Sequence, residues 1–146
     1  MNVMYLHTNS PCSLQWMEGE KILYELACML KEKGYIKSLR EFYKLFDERC
    51  PDYYTRWKAE KFALLAYLLH ILHENNIFIT TGNKGYFSFA EKHIVDFKGN
   101  KLKKDLLKNL CTRVKAEEIR FALVRAEVDK IIKDILNKKN LAIVKL

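Results

Sequence analysis

From Phe62 to Leu69 the chain reads Phe-Ala-Leu-Leu-Ala-Tyr-Leu-Leu, apolar at nearly every position. A helix built from this run has no polar side to turn outward until His70. Surface helices carry an apolar stripe on a polar back, whereas a helix apolar all round must be wrapped by other elements. The run is also too short to cross a bilayer, which takes about 20 apolar residues. Trp57 to Ile77 is therefore expected to form the central helix of an all-α domain.

A chain of 146 residues suits one domain, here 1–146, with a core of useful size. Its 49% hydrophobic and 12% aromatic content excludes a disordered chain. Five Gly and two Pro leave few of the tight turns that an all-β fold needs. The first twenty residues hold no Lys or Arg and no long apolar run, so no secretory leader is expected. No segment reaches membrane-spanning length, and a cytoplasmic location without a membrane partner is the expectation. Cys12, Cys28, Cys50 and Cys111 are widely spaced, which argues for free thiols rather than a disulfide framework.

The pattern predicts about six helices. Apolar residues at 22, 23, 26, 29 and 30 follow the helical period, with Lys31, Lys33 and Gly34 marking the end. Ser38 and Glu41 form a capping box for a second helix, from Leu39 to about Arg49. Asn75-Asn76 closes the central helix. The composition of 77–87 suits a short β-hairpin and a plain loop about equally. Ser88 and Glu91 form a second capping box, opening a helix to Phe97. Beyond the Lys98-Gly99-Asn100 break, Leu102, Leu106, Leu107, Leu110 and Val114 line one face of a fifth helix. The last helix, about Ala116 to Leu136, carries Phe121, Val124, Val128, Ile131 and Ile135. That stripe faces its own core, and its length also permits a homodimer seam. The apolar tail Leu141–Leu146 has no assigned place. A weak echo relates 16–46 to 57–97; duplication and chance both account for it.

Charge is unevenly distributed. Residues 98–146 hold fourteen basic and six acidic side chains, and so carry the whole net charge of +8. Within them runs Lys98, Lys101, Lys103, Lys104, Lys108, Arg113 and Lys115. At 100° per residue, Lys101, Lys104, Lys108 and Lys115 share a stripe opposite the leucines. A helix apolar on one side and lysine-lined on the other can rest on the core and face phosphates. The same pattern also suits lysines that simply meet solvent. Twenty Lys against six Arg favour phosphate attraction over bidentate base reading, although Asn109 and Thr112 lie near enough to touch bases.

His70 and His73 stand one helical turn apart but lack further patterned ligands, so no metal site is expected. The alanines Ala59, Ala63 and Ala66 mark a groove where another element packs. Cys111 and His93 have no orienting third group, and no phosphate-binding glycine loop or nucleophile elbow occurs. Neither enzymatic activity nor a cofactor is expected.

Trp57-Lys-x-Glu60-Lys61, followed by Leu65-x-x-Leu68-Leu69-x-x-Leu72-x-x-x-x-Ile77, resembles the C-terminal region of RteC-type regulators of Bacteroides conjugative transposons. The resemblance covers about Trp57 to Leu110, with Ser88, Phe97 and Leu102 to Leu110 falling where that family has its next two helices. It implies a helical, winged-helix-like DNA-binding domain of a mobile-element regulator. The family's arginine-rich segment after this region is matched here by Arg113, Arg120 and Arg125 alone.

Two functions are thus expected of the sequence. One is a small DNA-binding regulator that contacts the duplex backbone through its lysine-rich helix. The other is a protein-binding module that docks on a nucleic-acid enzyme, with Tyr53, Tyr54 and Trp57 as exposed aromatic contacts.

Overall fold

The computed structural model describes residues 13–47, 53–81, 85–116 and 118–144. Strand β1 (Ser13–Trp16) is followed by α1 (Glu20–Glu32) and α2 (Leu39–Lys44). Strand β2 (Thr55–Arg56) and a 3-10 turn (Ala59–Lys61) lead into α3 (Phe62–Glu74). Then come β3 (Phe78–Thr81), α4 (Tyr86–His93), β4 (Ile94–Val95) and α5 (Leu106–Lys115). A second 3-10 turn (Ile119–Phe121) precedes the long α6 (Ala122–Val144). Among the described residues the protein is mostly helical, with two small two-stranded sheets, rather than all-α.

As the apolar run requires, α3 is wrapped. Leu64, Leu65, Ala66, Leu68, Leu69 and Leu72 are all buried, with α5, α6 and β3 packed against them. Each fully buried leucine is worth about 1.5–3 kcal/mol. The stripe of α6 is used in the same way: Val128, Ile131, Ile132 and Ile135 are buried within the chain itself. This helix continues past the expected end at Leu136, so residues 141–144 extend it. Tyr35 donates a hydrogen bond to the Glu127 carboxylate, and Lys138 pairs with Glu25 at 2.8 Å. These contacts fasten α6 across α1 and the turn that follows it.

Several boundaries follow their local chemistry. Gly34, at φ 81°, ends α1 in the left-handed region that glycine enters without strain. The Ser38 hydroxyl accepts from the Glu41 amide at 3.3 Å, as its half of a capping box should. Asn76, at φ 57°, follows α3.

Elsewhere the long-range partner differs from the local one. Of the hairpin and loop left open over 77–87, the structure has a strand at Phe78–Thr81 whose antiparallel partner is β1, pairing Trp16 with Phe78 and Ser13 with Thr81. Tyr86 and Phe87 open α4 instead of completing a hairpin. Trp57 does not begin the central helix. It is extended, bridges Ile36, and donates its amide to Val95 O at 2.8 Å. The second helix stops at Lys44 rather than near Arg49, and Pro51 lies outside the described residues.

The second capping box also resolves differently. Ser88 lies inside α4, and Glu91 reaches forward to the next helix. Its two carboxylate oxygens accept from Asp105 N and Leu107 N, each at 3.0 Å. Asp105 sits in the left-handed region at φ 63° with no cap of its own, so a remote carboxylate supplies the missing acceptor. An anion there also complements the positive end of the helix dipole. Glu91→Ala should lower the urea-unfolding free energy by about 1–2 kcal/mol, in the range of a lost helix cap.

Candidate nucleic-acid interface

The basic run is divided by its backbone. Because α5 begins at Leu106, Lys98, Lys101, Lys103 and Lys104 lie in the segment before it. Only Lys108, Arg113 and Lys115 are carried on the helix. The single helical stripe expected of Lys101, Lys104, Lys108 and Lys115 is therefore not formed. Positive φ at Gly99 and Asp105 interrupts any helix through 98–105.

The leading segment is nevertheless ordered by a tight turn. Asp96 Oδ1 accepts from Lys98 N and Asn100 N, both at 2.8 Å, and Asp96 Oδ2 accepts from Asn100 Nδ2 at 3.0 Å. These donors, first among them the Asn100 amide, hold the Asp96 carboxyl below the usual carboxylate range. Beyond the turn, Lys101 bridges back to Val95. The turn thus sets Lys98 and Lys101 at the end of β4.

All seven basic side chains are exposed. Among the described residues, no carboxylate lies within 4.0 Å of Lys98, Lys101, Lys103, Lys104, Lys108 or Lys115. Arg113 differs, with Nε 3.8 Å from Glu118 and its guanidinium over Phe121. On α5, Thr112 donates its hydroxyl proton to Lys108 O at 3.0 Å, which leaves Asn109 as the exposed amide on that face.

Chain segments remote in sequence add to this surface. An open groove of about 550 Å³ is lined by Lys44, Tyr54, Arg56, Gly99 and Lys101, together with Glu41. Glu41 and Arg56 form a two-pronged pair, in which Nη2 donates to Oε2 at 2.6 Å and Nε donates at 2.9 Å. The Lys101 ammonium sits 5.9 Å from the Tyr54 ring centroid, and that of Lys37 sits 4.6 Å from Phe97. Lys37, Lys44 and Arg56 were not legible as members of this site. The parallel pairing of β2 with β4, setting Arg56 beside Val95, brings them there, and no local pattern announces such a pairing.

The three aromatic residues expected at a surface separate sharply. Tyr54 is 48% exposed, but Tyr53 is 8% and Trp57 0% exposed. Trp57 is core because its extended backbone turns the indole inward, where Nε1 donates to Lys61 O at 2.9 Å. Tyr53 stacks on His93 with centroids 5.1 Å apart. Of the three, only Tyr54 can meet a partner.

The histidines serve packing. His73 stacks on Tyr86 at 4.7 Å, and His93 lies against Phe89 at 4.3 Å. Among the described residues, no group of three or more His, Cys, Asp or Glu is arranged to hold a metal ion. Cys28 and Cys111 are free thiols, and burial pushes that of Cys111 up; Cys12 and Cys50 lie outside the described residues. No described helix is long and apolar enough to cross a membrane. The chain matches no protein-family model, no curated protein and no solved structure.

His70 links the basic face to the core. Burial lowers its pKa, and the nearby Lys115 charge adds to that effect against an opposing Glu74. Below the ordinary value of 6.5 the unfolded chain takes up a proton that the folded imidazole resists. Stability is therefore complete above that pH and is lost as the pH falls below it. The urea midpoint should drop between about pH 7.5 and about pH 5.5, and His70→Gln should flatten part of that drop.

Proposed function

We propose that this protein is a small DNA-binding regulator of a mobile element, holding the duplex through its phosphates. The observation that carries this reading is the set of six lysines between Lys98 and Lys115 with no carboxylate within 4.0 Å among the described residues. Lysines left free in this way are available to displace counterions from a nucleic-acid backbone. Their division between an ordered turn and the outer face of α5 lets them follow a backbone rather than one point of charge. Lysine supplies point charge without planar base recognition, so binding is expected to be weakly selective for sequence. The mobile-element role rests on the resemblance of Trp57–Leu110 to RteC-type regulators.

An electrophoretic shift with random-sequence duplex, run at two salt concentrations, tests the proposal. Affinity should fall steeply with salt, and the combined change Lys101→Glu, Lys104→Glu and Lys108→Glu should abolish the shift. The urea midpoint should stay at the wild-type value, because all three side chains are exposed. Unchanged DNA binding by that variant would refute the reading.

A second reading, a protein-binding module that docks on a nucleic-acid enzyme, is favoured by one observation. Ile119, in the 3-10 turn, and Leu123, in the first turn of α6, are 92% and 85% exposed, a large apolar surface to leave in water. On this reading, Ile119→Ser with Leu123→Ser should abolish capture of a partner from nuclease-treated host extract and leave any DNA shift unchanged. Equal capture by the variant and the wild type would remove it.

A further inference from the structure

We propose that the groove between α2, β2 and the 96–101 turn accepts one unpaired nucleotide, its base stacked on Tyr54 and its phosphate held by Lys44 and Lys101. This rests on the reading of the protein as a nucleic-acid binder and extends it to single strands.

The groove has the size of a small-ligand site, at about 550 Å³. Its contents match the two halves of a nucleotide. Tyr54 is the one aromatic ring of the groove that is substantially exposed, at 48%, and any base can stack on such a ring. Lys44 comes from α2 and Lys101 from the segment paired with Val95, and neither has a carboxylate within 4.0 Å among the described residues. At 5.9 Å from the Tyr54 centroid, Lys101 is at the outer limit of cation–π attraction. An arriving base can therefore displace it from the ring, and its ammonium then lies ready for the attached phosphate.

Arg56 gives the groove a fixed wall. Its Nε and Nη2 are bound by Glu41, which also accepts the Arg56 amide at 3.0 Å. The guanidinium is thereby held in one plane, and Nη1 takes part in none of these bonds. The pair contributes orientation more than charge, since Glu41 offsets the Arg56 cation.

A base inside a duplex is stacked and paired, so it cannot lie on Tyr54. Only a single strand, or a nucleotide turned out of the helix, offers a free face. Gly99 and Lys101 line the groove and also belong to the basic segment, so a backbone held by Lys98 and Lys103 can deliver a base into it.

Fluorescence anisotropy with three labelled probes tests this: an oligothymidylate, its abasic counterpart of equal length, and a random duplex. Tyr54→Ala should weaken oligothymidylate binding about 10-fold or more, while Tyr54→Trp should retain it. Duplex and abasic-strand affinities should stay within about twofold of wild type in both variants, since neither probe uses the ring. Loss of stacking is thereby separated from loss of fold, which would weaken all three probes alike. An unchanged oligothymidylate affinity in Tyr54→Ala overturns the proposal, as does an equal loss on every probe by a variant whose urea midpoint is that of the wild type. Wild-type protein that binds duplex but no single strand overturns the groove and leaves the duplex reading standing. Binding to none of the probes removes both.

Discussion

The absence of a polar side on α3 is the constraint from which the architecture follows. Leu64, Leu65, Leu68, Leu69 and Leu72 cannot all face one neighbour, so cover has to arrive from several directions. It comes as α5, α6 and β3, elements that are each apolar on one side only. Their outer sides are consequently polar, and on α5 that polar side is basic. The location of exposed charge is thus a by-product of how the central helix is desolvated. Lys108 and Lys115 are exposed on α5 while Leu107, Cys111 and Val114 are turned in.

Much of this was legible wherever the deciding interaction is local. Gly34 stops α1 by its own backbone freedom, Ser38 caps α2 through an amide three residues away, and Val128, Ile131 and Ile135 face inward by helical period. Legibility ends where a group has a choice of partners. Glu91 follows Ser88 at capping-box spacing, yet its carboxylate serves α5. Glu41 follows Ser38 at the same spacing and turns to Arg56 instead. Glu41 finds a charged guanidinium and Glu91 finds two amides at once, and only tertiary approach reveals either. Strand pairing is equally remote: Phe78 had no sequence neighbour to suggest Trp16 as its partner.

For the candidate site, composition located the excess charge correctly in the last third but assigned it the wrong local geometry. A helical wheel drawn through 98–115 assumes unbroken dihedrals, and Gly99 and Asp105 break them. The resulting surface is more varied than a stripe. It joins a hydrogen-bonded turn, a helix face and a groove whose remaining cations come from Lys44 and Arg56. Trp57 shows the converse: a large aromatic in a charged stretch reads as a surface anchor, whereas a satisfied indole N–H allows complete burial.

The carboxylate at the start of α5 also bears on which anions the protein can hold. Helix N-termini elsewhere receive phosphate through unoccupied amides, but here Asp105 N and Leu107 N are already held by Glu91. A lone phosphate or sulfate arriving at this end meets a negative charge where it needs a donor. What stays outside is a scatter of solvated ammonium groups, each a feeble trap for a small ion. The internal cap thus leaves this end of α5 without a site for a free small anion.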